Sequence, residues 1–427
     1  MVTERKHLKV GFDMLKKAII LGGHNNHVAL AKKMKDRGYY TILVDYLDHP
    51  PAADYTDEHV QISTFDTEGI YELAKSCQVD LIINTSLEHL NKGIAYVAER
   101  LNLPMMYSYE TACDVSNKKR MKTIMVENGV PTTPFVLVDN IDEIKDISLR
   151  YPLFVKPVDG SGSTGVNRAA TYEELEKFTA IALRMSKSGG AIIEEEAFGK
   201  ECNVYCVIRD GIAEVLTFSE KYSDIGGVAD VTKAIGTIWP ARVSEAAFEE
   251  IKRAAQKIAE AFKLKTTPMF MQLKVNGDEI NIIEFACRMA GGYSYKNILG
   301  KLGFDYYDFT IDAFEGKRPE VIVHDNGKMR VIHSLYASPC IFDRIDGYKE
   351  LVESGYVIDF AAARHSGTEI SDISANKSKI GFFIVQDDSV ENLLDKVSYV
   401  FDHIEAYDMN GNKVLRRDCM LKADMLK

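Results

Sequence analysis

The chain has 427 residues, 46% hydrophobic and 27% charged, with 63 acidic against 52 basic side chains and a net charge of −11. That length holds two or three ordinary domains, and the negative balance excludes a broad nucleic-acid-binding surface, which needs a basic field. Seven cysteines without CxxC or Cys/His spacing point to a reducing compartment and away from a zinc site.

The leader MVTERKHLKVGFDMLKK is polar and lacks the apolar h-region of a secretory signal. No apolar run is long enough to span a bilayer. The expectation is a soluble, cytoplasmic protein with no nucleic-acid or membrane partner.

AIILGGHNNHVALAKKMKDRGYYTILVDY then reads as strand, glycine turn, helix and strand. A helix over Thr67–Cys77, the strand VDLIIN and a helix over Asn91–Leu101 continue the alternation. Strands alternating with helices imply right-handed βαβ units and a parallel sheet. GGHNNH lacks the G-x-G-x-x-G spacing of a dinucleotide turn, so Asp45 is not read as a ribose ligand. His24 and His27 in that turn are read as exposed loop histidines.

From Ser116 the character changes. SNKKRMKTIMVENGVPTTPF is a helix closed by Gly129 and Pro131. The stretch FVKPVDGSGSTGV follows, then a helix near Tyr172–Ser186 and the strands AIIEEEA and ECNVYCVIRDGIAEVLTFS, the latter turned at Asp210-Gly211. SEAAFEEIKRAAQKIAEAFKL is a long amphipathic helix, and MFMQLKV and EINIIEFA pair around Asn276-Gly277. The last hundred residues, with YVIDF and SKIGFFIVQ, read as a smaller α+β unit whose sheet is covered by SVENLLDKVSYVFDHI.

FVKPVDGSGSTGV carries the first chemical signal. A lysine between Val155 and Pro157 is costly to bury unless its ammonium meets an anion. Gly160, Gly162 and Gly165 allow backbone N–H groups to converge, and Ser161, Ser163 and Thr164 add hydroxyl donors, as a polyphosphate loop would. A flexible linker has similar composition, so the loop alone leaves both readings open. Likewise Glu194–Glu196 alone reads as a solvated edge strand.

The wider order sharpens the reading. Lys118 opens one helix, Lys156 precedes the glycine loop, and Glu194, Glu195 and Glu196 follow, with Glu201 after a Gly-Lys turn. Gln272 and Glu284 lie on paired strands, and Arg288 stands four residues past Glu284. In this order the chain resembles the ATP-grasp superfamily, most closely the branch with amino-acid ligases, biotin carboxylase and the carbamoyl phosphate synthetase large subunit.

The resemblance implies an α/β protein: an N-terminal doubly wound parallel-sheet domain (1–112), a two-subdomain ATP-grasp α+β fold (113–320) and a C-terminal α+β unit (321–427). It implies that Lys118 and Lys156 bind nucleotide phosphates, with Lys156 also catalytic. Gly160 through Gly165 would close over the phosphates, Glu194 to Ala197 would form the adenine hinge, and Glu201 would accept the ribose hydroxyls. Glu284 would bind Mg²⁺ or Mn²⁺, and Arg288 would steady the transferred phosphate. Two positions depart from the pattern: Gln272 replaces the first metal carboxylate, and Ala286 replaces an asparagine.

The implied activity is ATP-dependent, ADP-forming ligation of a small carboxylate or amino acid to an amine through an acyl phosphate. The alternatives are a nucleotide-binding protein with altered or lost turnover, and a carboxylase resembling biotin carboxylase. Tyr293 and Tyr295 are candidate acceptor-site residues, with Arg168 and Lys221 as extra cations. A homodimer is an open possibility.

Overall fold

The computed structural model describes residues 15–160, 165–224, 233–371 and 378–426. Strand β1 (Lys16–Leu21) and strand β2 (Tyr39–Asp45) are apolar and mostly buried on both faces, as parallel strands between helical layers must be. Helix α1 (Asn25–Asp36) joins them. Strand β3 (Glu58–Gln61), α2 (Thr67–Cys77), β4 (Leu81–Ile83) and α3 (Glu88–Leu101) complete a parallel sheet in the order β3-β2-β1-β4. Asp45 accepts hydrogen bonds from Gly23 N (2.8 Å) and Leu47 N (2.9 Å), so it braces the first turn. His27 is fully buried in α1, contrary to the exposed-loop reading; the turn ends at His24, and the helix carries His27 inward.

Helices α4 (Tyr109–Ser116) and α5 (Lys118–Glu127) lead out of this domain. Asn117 caps α5 by accepting from Arg120 N at 3.1 Å. A small antiparallel sheet follows: β5 (Phe135–Val138), β6 (Leu153–Pro157), β7 (Asn167–Ala169) and β8 (Ala191–Glu195), ordered β5-β8-β6-β7. Helix α6 (Tyr172–Met185) covers it, and Val138, Leu153, Val155, Leu175, Ala182 and Ile193 form its own core. Strand β8 is therefore central, not an edge, and Glu194 is buried.

Strands β9 (Lys200–Arg209), β10 (Ile212–Asp224) and β11 (Lys233–Trp239) come next, with Asp210 and Gly211 at positive φ in the tight turn. Helix α7 (Glu245–Ala261) precedes β12 (Thr267–Asn276) and β13 (Glu279–Ala286), and α8 (Ser294–Leu302) and α9 (Tyr306–Phe314) follow. The C-terminal part holds β14 (Met329–Tyr336), β15 (Cys340–Asp346), α10 (Tyr348–Glu353), β16 (Asp359–Ala362), β17 (Thr368–Ile370), β18 (Lys379–Asp387), α11 (Val390–His403) and β19 (Glu405–Asp408).

Among the described residues, β14, β18 and β16 extend one eight-stranded sheet, β13-β12-β9-β10-β11-β14-β18-β16, while β15, β17 and β19 make a small separate sheet. One face of the β10–β18 half packs on α11 through Ile235, Val331, Leu335, Phe383, Val397 and Phe401. The N-terminal domain is clamped onto α9 by charge: Lys33 reaches Asp305 (2.7 Å) and Asp308 (2.8 Å), and Arg37 reaches Asp312 (2.6 Å) and Glu315 (3.1 Å). The cleft between the small sheet, the large sheet and α3 is thereby framed by all three parts.

Candidate active site

Lys118 sits at the first position of α5, where its backbone N–H donates to Val158 O at 2.9 Å. Its ammonium donates to Gly160 O at 2.8 Å and lies 3.4 Å from Glu284 Oε2. One lysine therefore ties the base of the glycine loop to the end of β13. Gly165, past that loop, has φ +75°, and a Cβ there would meet Pro157 Cγ at 2.9 Å; only glycine suits the position. Ser161, Gly162, Ser163 and Thr164 lie outside the described residues.

Below Lys118 lies a buried ionic triad. Lys156 donates to Glu194 Oε2 at 2.7 Å, and Lys122 approaches Glu194 Oε1 at 3.5 Å. Lys122 also donates to Thr132 Oγ1 at 2.5 Å and to Ile282 O at 3.4 Å. Burial pushes the Glu194 carboxyl up, but Lys122 and Lys156 outweigh it and hold it down at about 2. Burial drives the Lys122 ammonium down to about 8, with Glu194 opposing. Lys156 thus meets the anion its sequence context demands, supplied by the protein itself.

The other acids of β8 and its flank are also engaged. Glu195 pairs with Arg150 at 2.8 Å and Glu196 with Arg168 at 2.9 Å. Glu201 accepts from Lys221 at 2.6 Å, with Lys274 at 3.8 Å. Ala197 directly follows these acids, before Gly199, whose Cβ would collide with Val275 O at 2.1 Å.

On the large sheet Gln272 is in register with both Glu284 on β13 and Asn203 on β9. Gln272 Nε2 donates to Asn203 Oδ1 at 3.4 Å. Burial pushes the Glu284 carboxyl up, yet Lys118 and Lys156 keep it below its ordinary value. Glu284 supplies an anionic oxygen beside the neutral amide oxygens of Gln272 and Asn203. That set suits one Mg²⁺ shared with phosphate oxygens. Among the described residues no three His, Cys, Asp or Glu side chains cluster as an all-protein metal site.

Arg288 leaves the end of β13, with its guanidinium 5.3 Å from the Phe270 ring centroid and Nη1 donating to Met289 O at 2.8 Å. Its Nε is buried without a hydrogen-bond partner among the described residues. Nη2 lies 4.0 Å from Glu88, in the first turn of α3. Burial pushes the Glu88 carboxyl up to about 7, Arg288 opposing and Glu284 reinforcing. The Cys287 carbonyl beside Arg288 accepts from Asn91 Nδ2 and Tyr107 OH, both at 3.3 Å. Asn84 in turn donates to Asn91, so the N-terminal domain holds the arginine's backbone in place.

Residues 149–296 match the family model described as an ATP-grasp domain. The chain carries an ATP-grasp domain. It is 26% identical over 198 residues to human mitochondrial carbamoyl-phosphate synthase [ammonia], covering 45% of this chain and 13% of that one. It is 22% identical over 222 residues to the L-arginine-specific L-amino acid ligase of Bacillus subtilis, covering 51% and 53%. The chain thus spans about half the length of these curated relatives or less. The crystal structure of L-amino acid ligase from Bacillus licheniformis superposes with a TM-score of 0.74 at 21% identity, over 92% of this chain and 99% of that one. The fold is that of the ATP-grasp enzymes.

Around the ATP-grasp domain the predicted residues separate by location. Lys118, Lys156, Gly160, Glu284, Gln272 and Arg288 gather at the cleft. Tyr293 packs on Phe382 at 5.2 Å and Tyr295 on Tyr307 at 4.9 Å. Sequence reasoning missed Glu88, Lys122, Asn203, Asn91 and Tyr107. Glu88 was overlooked because the helix was started at Asn91; the signal was Asn84, whose side chain accepts from Leu87 N at 3.0 Å and so marks an earlier start. Lys122 stands four residues after Lys118, on the same helical face.

Proposed function

We propose that the chain is an ADP-forming ligase that joins a carboxylate to an amine through an acyl phosphate. The observation carrying this is the convergence of Lys118, Glu284 and Arg288 at one cleft, with Lys118 touching both the glycine loop and the carboxylate. In the first step a substrate carboxylate oxygen bonds to the γ-phosphorus of ATP, and the bond to the β–γ bridging oxygen breaks to release ADP. In the second, the amine nitrogen bonds to the acyl carbon and inorganic phosphate leaves, while the nitrogen gives up a proton.

Lys118 and Lys156 would neutralise the nucleotide phosphates, and Arg288 would bind the phosphate in flight through its planar fork. A magnesium ion held by Glu284 and the nucleotide would offset charge on the transferring phosphate. The adenine and ribose would lie along Glu194–Ala197 and Glu201, mainly against backbone groups, because these carboxylates already have cationic partners. Glu88, facing Arg288 from α3, would bind the incoming ammonium and take one proton from it, freeing the amine that attacks and then gives up its second proton to solvent.

The test is ADP release in the presence of ATP, Mg²⁺ and pooled carboxylates and amino acids, with mass-spectrometric detection of the amide. Arg288→Ala should abolish turnover while ATP still raises the melting temperature. Glu88→Gln should raise KM for the amine and leave KM for ATP unchanged. If no pool elicits ADP from the native protein although ATP binds, the ligase reading fails. A site that binds nucleotide without turnover is then the better account, and Gln272 in place of a second carboxylate is what favours it.

A further inference from the structure

A second concavity lies outside the cleft, between α2 and α3 of the N-terminal domain. It encloses about 360 Å³, and Phe65, His89, Lys92, Tyr96 and Tyr109 line it. Small-molecule sites have volumes of about 300–1,000 Å³. On α3 the lining residues His89, Lys92, Gly93 and Tyr96 are spaced i, i+3, i+4 and i+7, one stripe of a helix. Glu88 and Asn91 project from a different side of α3, toward Arg288 and the Cys287 carbonyl. The concavity and the cleft therefore use separate faces of one helix.

Its walls are aromatic. Phe65 is 66% exposed and stacks on His89, with ring centroids 5.1 Å apart and planes 17° from parallel. Tyr96 and Tyr109 meet edge to face at 5.5 Å. Burial, with His24 adding to it, holds the His89 ring below its ordinary pKa, so at neutral pH it presents an uncharged ring. The lining acid is already engaged: Glu68 accepts from Arg100 at 2.8 Å and from Tyr96 OH at 3.0 Å. Neighbouring Asp66 caps α2 by accepting from Gly69 N at 3.0 Å.

The cations are not matched. Lys92 projects from the α3 stripe, and Lys187, just past α6, reaches across to lie 5.5 Å from the Phe65 ring centroid. Asp159 fixes the backbone there by accepting from Lys187 N at 2.9 Å and Ser188 N at 2.7 Å. Among the described residues neither ammonium has a hydrogen-bonded or ion-paired partner. Exposed rings offer a stacking surface, and two unmatched ammoniums beside them complement negative charge.

We propose that this concavity is a second ligand site, for a planar aromatic anion. The ring lies against Phe65 and His89, and its carboxylate or phosphate is met by Lys92 and Lys187. The site stands whether or not the cleft ligates.

The whole 427-residue chain is saturated with Mg²⁺ and a non-hydrolysable ATP analogue, so that the nucleotide site is filled. It is then titrated calorimetrically with indoleacetate and, separately, with cytidine monophosphate. Binding of at least one is expected, and the tighter of the two assigns carboxylate or phosphate. The neutral counterpart, indole or cytidine, should bind at least about tenfold more weakly, as loss of charge-assisted hydrogen bonds does. Phe65→Ala should weaken binding at least about fivefold through loss of a stacking face. Lys92→Met with Lys187→Met should bring the anion down to the affinity of its neutral counterpart. All three side chains are exposed, so the melting temperatures of these variants should match that of the native protein. As a second measurement, acetylation of Lys92 and Lys187 read by mass spectrometry should slow when the anion is present. Absence of binding by both anions, unchanged affinity in Phe65→Ala, equal binding of anion and neutral counterpart, or undiminished labelling overturns the proposal.

Discussion

Replacing Glu194 with glutamine tests the buried triad directly. The substitution keeps the volume but turns one acceptor oxygen into an N–H donor, and it leaves the Lys122 and Lys156 ammoniums facing each other in a site where Glu194 and Lys122 are almost fully enclosed. The native carboxyl titrates at about 2 against an ordinary 4.5, a depression corresponding to roughly 3 kcal/mol. Losing one partner of a buried pair costs about 3–5 kcal/mol, in agreement. Lys122 is pushed the opposite way, to about 8, so the intact triad contributes little net stability; the loss comes from uncovering the two cations. A group with a depressed native pKa stabilises fully above its unfolded value and loses that contribution as pH falls toward the native one. Glu194→Gln should therefore lower the denaturation midpoint at pH 7 by about 3 kcal/mol equivalent, and the gap should narrow by about 1 kcal/mol at pH 4. Denaturant unfolding followed by circular dichroism at both pH values measures it. Equal midpoints at pH 7, or a gap that does not narrow, would refute the reasoning.

Gln272→Glu puts a second carboxylate in register with Glu284, and Mn²⁺ bound with ATP, counted by electron paramagnetic resonance, should rise; an unchanged count means the two positions do not share a metal. Asn91→Leu combined with Tyr107→Phe removes both donors to the Cys287 carbonyl beside Arg288, and kcat should drop roughly ten- to a hundredfold with KM for ATP unchanged; a normal kcat would show that Arg288 needs no support from these two donors. His333 is buried, stacks on Phe383 at 5.1 Å, and accepts from Leu421 N at 3.0 Å, and burial lowers its pKa from 6.5 to about 4. The unfolded chain then binds the proton first, so stability should decline as pH falls from 6.5, by about 2 kcal/mol at pH 5. His333→Gln should flatten that slope in melting curves, and an unaltered slope would count against it.

Much of this architecture was legible from local pattern. The glycine turns, the Asp210-Gly211 hairpin and the helix over Thr67–Cys77 follow from backbone permissiveness and apolar periodicity, which act within a few residues. The order of Lys118, Lys156, Glu284 and Arg288 took its meaning from the resemblance to the ATP-grasp superfamily, since local pattern alone left the glycine loop open between a phosphate cradle and a linker. Asn84 could have placed Glu88 in the first helical turn, but not its role, because that depends on Arg288, 200 positions away in the chain.

Sequence alone, then, determined the element types and the parallel N-terminal sheet. Only the tertiary structure decided which charge meets which. It turned Glu194 from a surface acid into the buried partner of Lys122 and Lys156, because β8 is interior to its sheet. It carried β14, β18 and β16 into the same sheet as β12 and β13. Strand order and domain docking bring together residues far apart in the chain, and an ion's partner in a low-dielectric site is fixed by that proximity rather than by any local pattern.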